Sequence, residues 1–542
     1  MKAEDLFENM SAIDDEVLER SEQTPSAGGD EQARSRKVAR LRRIAAAAAV
    51  VLVVGAAVWM LGKGIFRENN KMDKNATTTV TVTVTPGGEK QGGNREEEKV
   101  SEWEKYLTKY RLAKAEYPKA AVIPNMEDYE TKDGQFLFEA YDRAYRKWSN
   151  ASYAHMSGFS ASQRTTALNG VSSFTQSSMA QLLSGETGTN RVYSPANLYM
   201  ALAMLAEVTD GDTRTQVMRL LGVNDIGLLR EMSDTAWNLM YRDNGLMKSV
   251  LAGALWLRDD DACRYIPDTV ERLAKTYHAS TFRGTMGSAE YDQALRAWLN
   301  EQTGGLLSDS VKDQKFDELT ALTIATTLYF NAKWSHSFET YNTYEQTFHA
   351  QSGDVTCDFM HQTFGSGTYF AGDKFAAVYQ YFDDDYQNNH MVYFLPDEGV
   401  SVEELLSDPQ VFALLGGEQE KPTCKDNMLI NFAVPKFDIS SNMELSEKLQ
   451  ELGITDAFDM GKADFSALVE NSQGIWLSKV DHSVRVKIDE EGVEAAAFTV
   501  MPAVGAGMPS DDEVDFVLDR PFMFAICASN GTPLFVGIVE IP

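Results

Sequence analysis

Hydrophobic positions along the chain change period several times, and each change marks an element. Apolar residues at helical spacing predict helices over Leu168 to Leu183, Asn197 to Leu205 and Thr213 to Leu221, the last entered through Asp212 as N-cap. Runs rich in β-branched and aromatic residues predict strands over Ala321 to Phe330, His390 to Leu395, Met428 to Ala433, Val484 to Ile488 and Phe522 to Ala528. Strand and helix do not alternate regularly, which speaks against a doubly wound sheet.

Ahead of this mixed region, Ser101 to Tyr153 carries two aromatic stripes at helical spacing. One holds Trp103, Tyr106, Tyr110 and Tyr117, with Ser101 and Glu104 as a capping box; the other holds Phe138, Tyr141, Tyr145 and Trp148. Such stripes call for a surface to cover them, so 101–160 is expected to be a helical extension docked on the main domain. Further back, Ile44 to Gly62 is uncharged and long enough to span a bilayer as one helix. Arg34, Arg36, Lys37, Arg40, Arg42 and Arg43 precede it, while only Lys63 and Arg67 follow closely. By the positive-inside rule, residues 1–43 form a cytoplasmic tail and the rest lies outside the cell. Residues 63–100, with Pro86, Gly87 and Gly88 followed by a charge run, are expected to form an extended stalk.

A formal net charge of -30 argues against a nucleic-acid partner, because polyanions repel. Cys263, Cys357, Cys424 and Cys527 are far apart with no CxxC, so neither a zinc site nor a disulfide framework is indicated. The histidines are scattered, and no HExxH, GxSxG, Walker or GxGxxG motif stands in a strand-turn-helix context. Asp383, Asp384 and Asp385 read as a solvated run. No catalytic residue, metal or cofactor is expected, and the chain is not read as an enzyme.

The stretch Glu490 to Gly507, EEGVEAAAFTVMPAVGAG, begins with small residues able to slide between strands and ends as a proline- and glycine-punctuated loop. Its surroundings resemble the serpin family of protease inhibitors. The resemblance is carried by YSPANLYMALAML at Tyr193 to Leu205, WLNEQTGGL at Trp298 to Leu306, LYFNAKW at Leu328 to Trp334, FLPDEG at Phe394 to Gly399, LGITDAFD at Leu452 to Asp459, and RPFMFAI with PLFVGIV near the C-terminus. It runs from about Val171 to Pro542, and 161–542 is taken as the domain.

The resemblance implies an α+β serpin fold, with about eight or nine helices around three β-sheets and an exposed reactive-centre loop. Glu490, Glu491, Gly492, Val493, Glu494, Ala495, Ala496 and Ala497 match the family's hinge. Ser194, Asn197, Thr326, Trp334 and His482 match the region that governs sheet opening. The family usually has serine at the place of Asn197 and asparagine at that of Thr326. In the family the hinge glycine stands about fourteen residues before the attacked carbonyl, which puts the reactive bond at Ala506-Gly507. A small residue there suits elastase-like or subtilisin-like serine proteases, with cysteine proteases also within the family's range. The implied action is suicide inhibition, in which the cleaved loop enters the sheet while the acyl-enzyme is still attached. The alternative is a non-inhibitory serpin-fold binding or scaffold protein. The expected form is a monomer at a bacterial surface, held in the cell membrane by the single N-terminal span.

Overall fold

The computed structural model describes residues 103–118, 121–131, 134–154, 156–185, 188–260, 263–308, 311–384, 387–471, 474–493 and 512–542. The expected tail, membrane helix and stalk lie outside them. Among the described residues, no helix is long and apolar enough to cross a membrane.

At the centre is the helix Pro195–Val208, in which every residue is buried. A helix apolar on all sides must be wrapped on all sides. Its core partners include Leu251, Leu255, Ile324 and Leu328 from the inner face of an eight-stranded sheet. Across that sheet the path runs Arg111–Ala113, Ala279–Gly284, Met247–Arg258, Leu322–Lys333, Gly492–Val493, Leu477–Ile488 and Phe437–Glu444, with Arg242–Asp243 beside Met247–Arg258. The outer face carries a second core, where Tyr291, Ala294 and Trp298 of the helix Ala289–Gln302 meet Trp256, Phe282 and Ala325. Burial on both faces explains why the first seven residues of Leu322–Lys333 are all buried while its end alternates.

Among the described residues a second sheet has nine strands, rather than being divided in two as the resemblance implied. The strand Gly353–Ala371 pairs first with Thr343–Ala350 and then with Thr423–Pro435 and Phe375–Tyr381, joining both halves. Eleven α-helices are found among the described residues, nine of them from Ala161 onward.

Three local expectations need correction. The helix predicted from Thr213 starts at Gly211 and is capped by Asp210, whose side chain accepts from Gly211 N; Asp212 lies inside the first turn. The first aromatic stripe is not one helix. Only Glu104–Leu107 is helical, Trp103 stands at its cap, and Arg111–Ala113 is a strand on the edge Ala279–Gly284. An open sheet edge offers unpaired backbone groups, and this outweighs the local helical period. Asp384 is buried rather than solvated: it accepts from Asn389 N, Asn389 Nδ2 and Gln387 N, while burial pushes its carboxyl up.

Candidate functional site

The two central strands of the eight-stranded sheet, Leu322–Lys333 and Leu477–Ile488, run parallel and are bonded to each other only along part of their length. Their pairing extends from Leu322 with Leu477 to Thr327 with Ser483. Above this level Leu328 to Asn331 pair outward with Met247–Arg258, and Val484 to Lys487 pair outward with Phe437–Glu444. No described strand pairs with their inner edges. At the top, Gly492 faces Lys333, and Val493 lies between Ala332 and Ile488, antiparallel to both. Two residues thus wedge open strands that are zipped below.

Glycine is required at the wedge by close approach. A Cβ on Gly492 would sit 2.1 Å from the Ala332 carbonyl oxygen and 2.8 Å from Lys333 Cα. The preceding turn is tied down by the Asp489 carboxylate, which accepts from Glu491 N and Gly492 N at 2.9 and 3.2 Å. Trp334 holds the same turn twice, donating Nε1 to the Asp489 carbonyl and its backbone N–H to the Glu491 carbonyl, each at 2.9 Å. Its ring stacks on Phe382 at 5.1 Å. The Glu490 carboxylate receives Lys436 Nζ at 2.9 and 3.0 Å and Thr343 Oγ1 at 2.9 Å. Burial alone would raise its pKa; the hydrogen bonds from Lys436 and Thr343 outweigh this and hold it below the usual carboxylate value.

His482 locks the zipped part. Ser194 N lies 2.9 Å from His482 Nε2, and since a backbone N–H only donates, Nε2 accepts. The ring proton is therefore on Nδ1, which donates to Thr326 Oγ1 at 2.9 Å. The Thr326 hydroxyl in turn donates to the Asp481 carbonyl at 3.5 Å. The imidazole is fully buried, and burial pushes its pKa down to about 3, so it is neutral.

The structure brings Ser194, Thr326 and His482 into one cluster. It does not bring in the side chain of Asn197, whose backbone N–H caps onto Ser194 Oγ while its buried Nδ2 has no hydrogen-bond partner among the described residues. Trp334, Glu490, Glu491, Gly492 and Val493 meet at the wedge. Glu494, Ala495, Ala496, Ala497, Ala506 and Gly507 lie outside the described residues. Lys436, Thr343, Phe338 and Asp489 were missed in the sequence; Phe338 N donates to the Glu490 carbonyl at 2.8 Å. Asp489 before a Glu-Glu-Gly turn is the one signal that could have been found. Among the described residues, no cluster of metal-ligating side chains occurs.

Residues 169–542 match the family described as Serpin (serine protease inhibitor). The guinea pig (Cavia porcellus) serine proteinase inhibitor A3K is 31% identical over 376 residues, covering 67% of this chain and 87% of that protein. Among solved structures, the thermophilic serpin Tengpin in its native state superposes with a TM-score of 0.61 at 24% identity, over 69% of this chain and 94% of that one. Arabidopsis AtSerpin1 in a native stressed conformation gives 0.58 at 25% identity, over 69% and 98%.

Two outcomes follow from the geometry. Gly492→Ala is expected to lower the unfolding free energy by about 1–3 kcal/mol, because the added methyl meets fixed backbone; an unchanged urea midpoint would mean that the hinge is not seated. For His482, the unfolded chain takes up a proton near pH 6.5 and the native chain only near about 3. Stability is therefore complete above the unfolded pKa and falls as pH drops towards the folded one, by at most about 1.4 kcal/mol per pH unit. His390, pushed down to about 4 by burial, adds in the same direction. In His482→Gln the slope of unfolding free energy against pH over this window should shrink by about one proton; an equal slope would contradict a buried neutral imidazole.

Proposed function

The chain belongs to the serpin family, and we propose that this protein inhibits serine proteases as a suicide substrate whose cleaved loop enters the eight-stranded sheet. The observation that carries the proposal is the seat of Gly492 and Val493 between the heads of two strands whose mutual pairing stops at Thr327 and Ser483. Exposed ladder edges bind an added strand through main-chain hydrogen bonds, and serpin loop insertion is among the known cases.

The register supports continuation of the wedge. Val493 faces Ala332 on one side and Ile488 on the other. Carried downward, the same registers set Ala495 against Phe330 and Val486, Ala497 against Leu328 and Val484, Thr499 against Thr326 and His482, and Met501 against Ile324 and Val480. Thr326 with His482, and Ile324 with Val480, are already paired across the junction. An entering strand would therefore replace the parallel ladder level by level with two antiparallel ones, which are the more stable per residue. It would also break the His482–Thr326 bond. Residues of odd number from Val493 onward would face the core, and in this sequence they are small or apolar, as Ala495, Ala497, Thr499, Met501 and Ala503.

Ala503 would reach Leu322, where the sheet ends, so a cut at Ala506-Gly507 would free enough chain to fill the slot. Ala506 favours elastase-like or subtilisin-like enzymes, since their shallow pockets accept a small side chain and no cation is offered. The proposal keeps the domain outside the cell, held by Ile44 to Gly62, and assigns the protein no enzymatic activity of its own.

Incubation of the full chain with an elastase-like protease should yield a denaturation-resistant complex on a gel and a released peptide beginning at Gly507. Cleavage in the loop without a complex would contradict the trap. Ala506→Arg should move the preference towards trypsin-like proteases; an unmoved preference would reject the assigned bond.

A further inference from the structure

The segment ahead of the family match is built onto the element that an entering strand would have to lift. In the register above, Phe498, Val500 and Pro502 would fall on the outer face, level with Thr327, Ala325 and Thr323. Ala325 is buried there beneath the helix Ala289–Gln302, together with Tyr291, Ala294 and Trp298. The lower half of the slot is thus roofed by this helix, and insertion needs the roof to rise.

Residues 103–118 fasten both ends of that roof. Leu107 is fully buried in the outer-face core, and the ring of Tyr110 lies 5.0 Å from that of Tyr291, in the first turn of the helix. At the other end, Tyr117 donates its hydroxyl to Gln302 Oε1 at 3.2 Å while its ring stacks on Trp237 at 5.3 Å. Between these two points the chain is bonded to the sheet edge and to the helices beside it. Arg111–Ala113 extends Ala279–Gly284, Arg283 N donates to the Tyr110 carbonyl at 2.8 Å, and Glu116 N donates to the Ala274 carbonyl at 3.1 Å. His278 Nδ1 adds a donor to the Glu116 carbonyl at 2.6 Å. Glu104 and Arg111 pair through two contacts, holding the helical turn against the strand.

We propose that residues 103–118 are a strap across the helix Ala289–Gln302 that slows entry of the loop into the sheet, and so sets how readily the native protein converts. The inference rests on the insertion reading. Loosening the strap removes contacts made in the closed sheet and lost when the roof lifts, which lowers the barrier without touching the loop or the slot.

The test adds a synthetic peptide of the sequence 493–506 (VEAAAFTVMPAVGA) to the full chain and follows its uptake by native gel. The double variant Leu107→Ala, Tyr110→Ala should take up the peptide about tenfold faster or more. Tyr117→Phe, which loses only the Gln302 bond, should do so by about threefold and guards against a misfolded double variant. Val536→Ala, a core truncation in the other sheet, separates strap release from general weakening and should leave the rate near that of the parent. Equal or slower uptake in both strap variants would overturn the strap while leaving insertion intact. Acceleration by Val536→Ala to the same degree would overturn it too. Failure of the parent and every variant to take up the peptide would reject insertion, and the strap with it.

Discussion

Everything in this fold turns on a parallel strand pair that is bonded at one end and split at the other. Six levels of pairing join Leu322–Lys333 to Leu477–Ile488, and above them, among the described strands, Leu328 to Asn331 and Val484 to Lys487 pair only outward. Among the described strands none pairs with the inner edges above that level, and on the insertion proposal this is where an added strand would form its ladders. Gly492 and Val493 would be its first two positions. On the insertion proposal, the native state holds the start of a strand, and its persistence depends on what keeps that strand from going further.

Two groups of contacts of opposite character stand at this junction. At the lower level the group is neutral: His482 accepts from Ser194 at the head of the central helix and donates to Thr326 across the strands, linking helix and both strands by one ring. At the upper level it is charged and mechanical. Lys436 and Thr343 hold the Glu490 carboxylate while Trp334 grips the turn on either side of it. Lys436 is about one-third exposed, so its Coulomb energy alone is modest; the partly buried Glu490 carboxylate gains more from having its hydrogen bonds made. The helix Ala289–Gln302 packs on the outer face of the sheet over Ala325.

The strand cores and the hydrophobic central helix were legible in the sequence because each is a local pattern, of period two or of period three to four. His482 and Thr326 were named through resemblance and are hydrogen-bonded to each other, whereas the side chain of Asn197 does not join them. What escaped is non-local. Lys436 reaches Glu490 across 54 residues of chain, and nothing in either neighbourhood announces the pair. Trp103, Tyr106 and Tyr110 look like one helix, yet the helix ends at Leu107 and the chain after Tyr110 pairs with the open edge of Ala279–Gly284, whose hydrogen bonds a longer helix would forgo. Asp210 and Asp212 are both good caps in composition; the backbone at Asp210 is extended, and its N–H donates to the Asp464 carbonyl far along the chain. The 19-residue strand that joins two sheets into one is likewise a fact of long-range pairing.

The most direct measurement of the central claim is the thermal unfolding midpoint of the intact protein against that of the protein cut once within 494–511. If the wedge is the start of a strand, cutting frees it to complete the sheet, and the midpoint should rise steeply, since the product gains two antiparallel ladders in place of one parallel one. A midpoint that stays level or falls after the cut would mean that the sheet does not accept the loop.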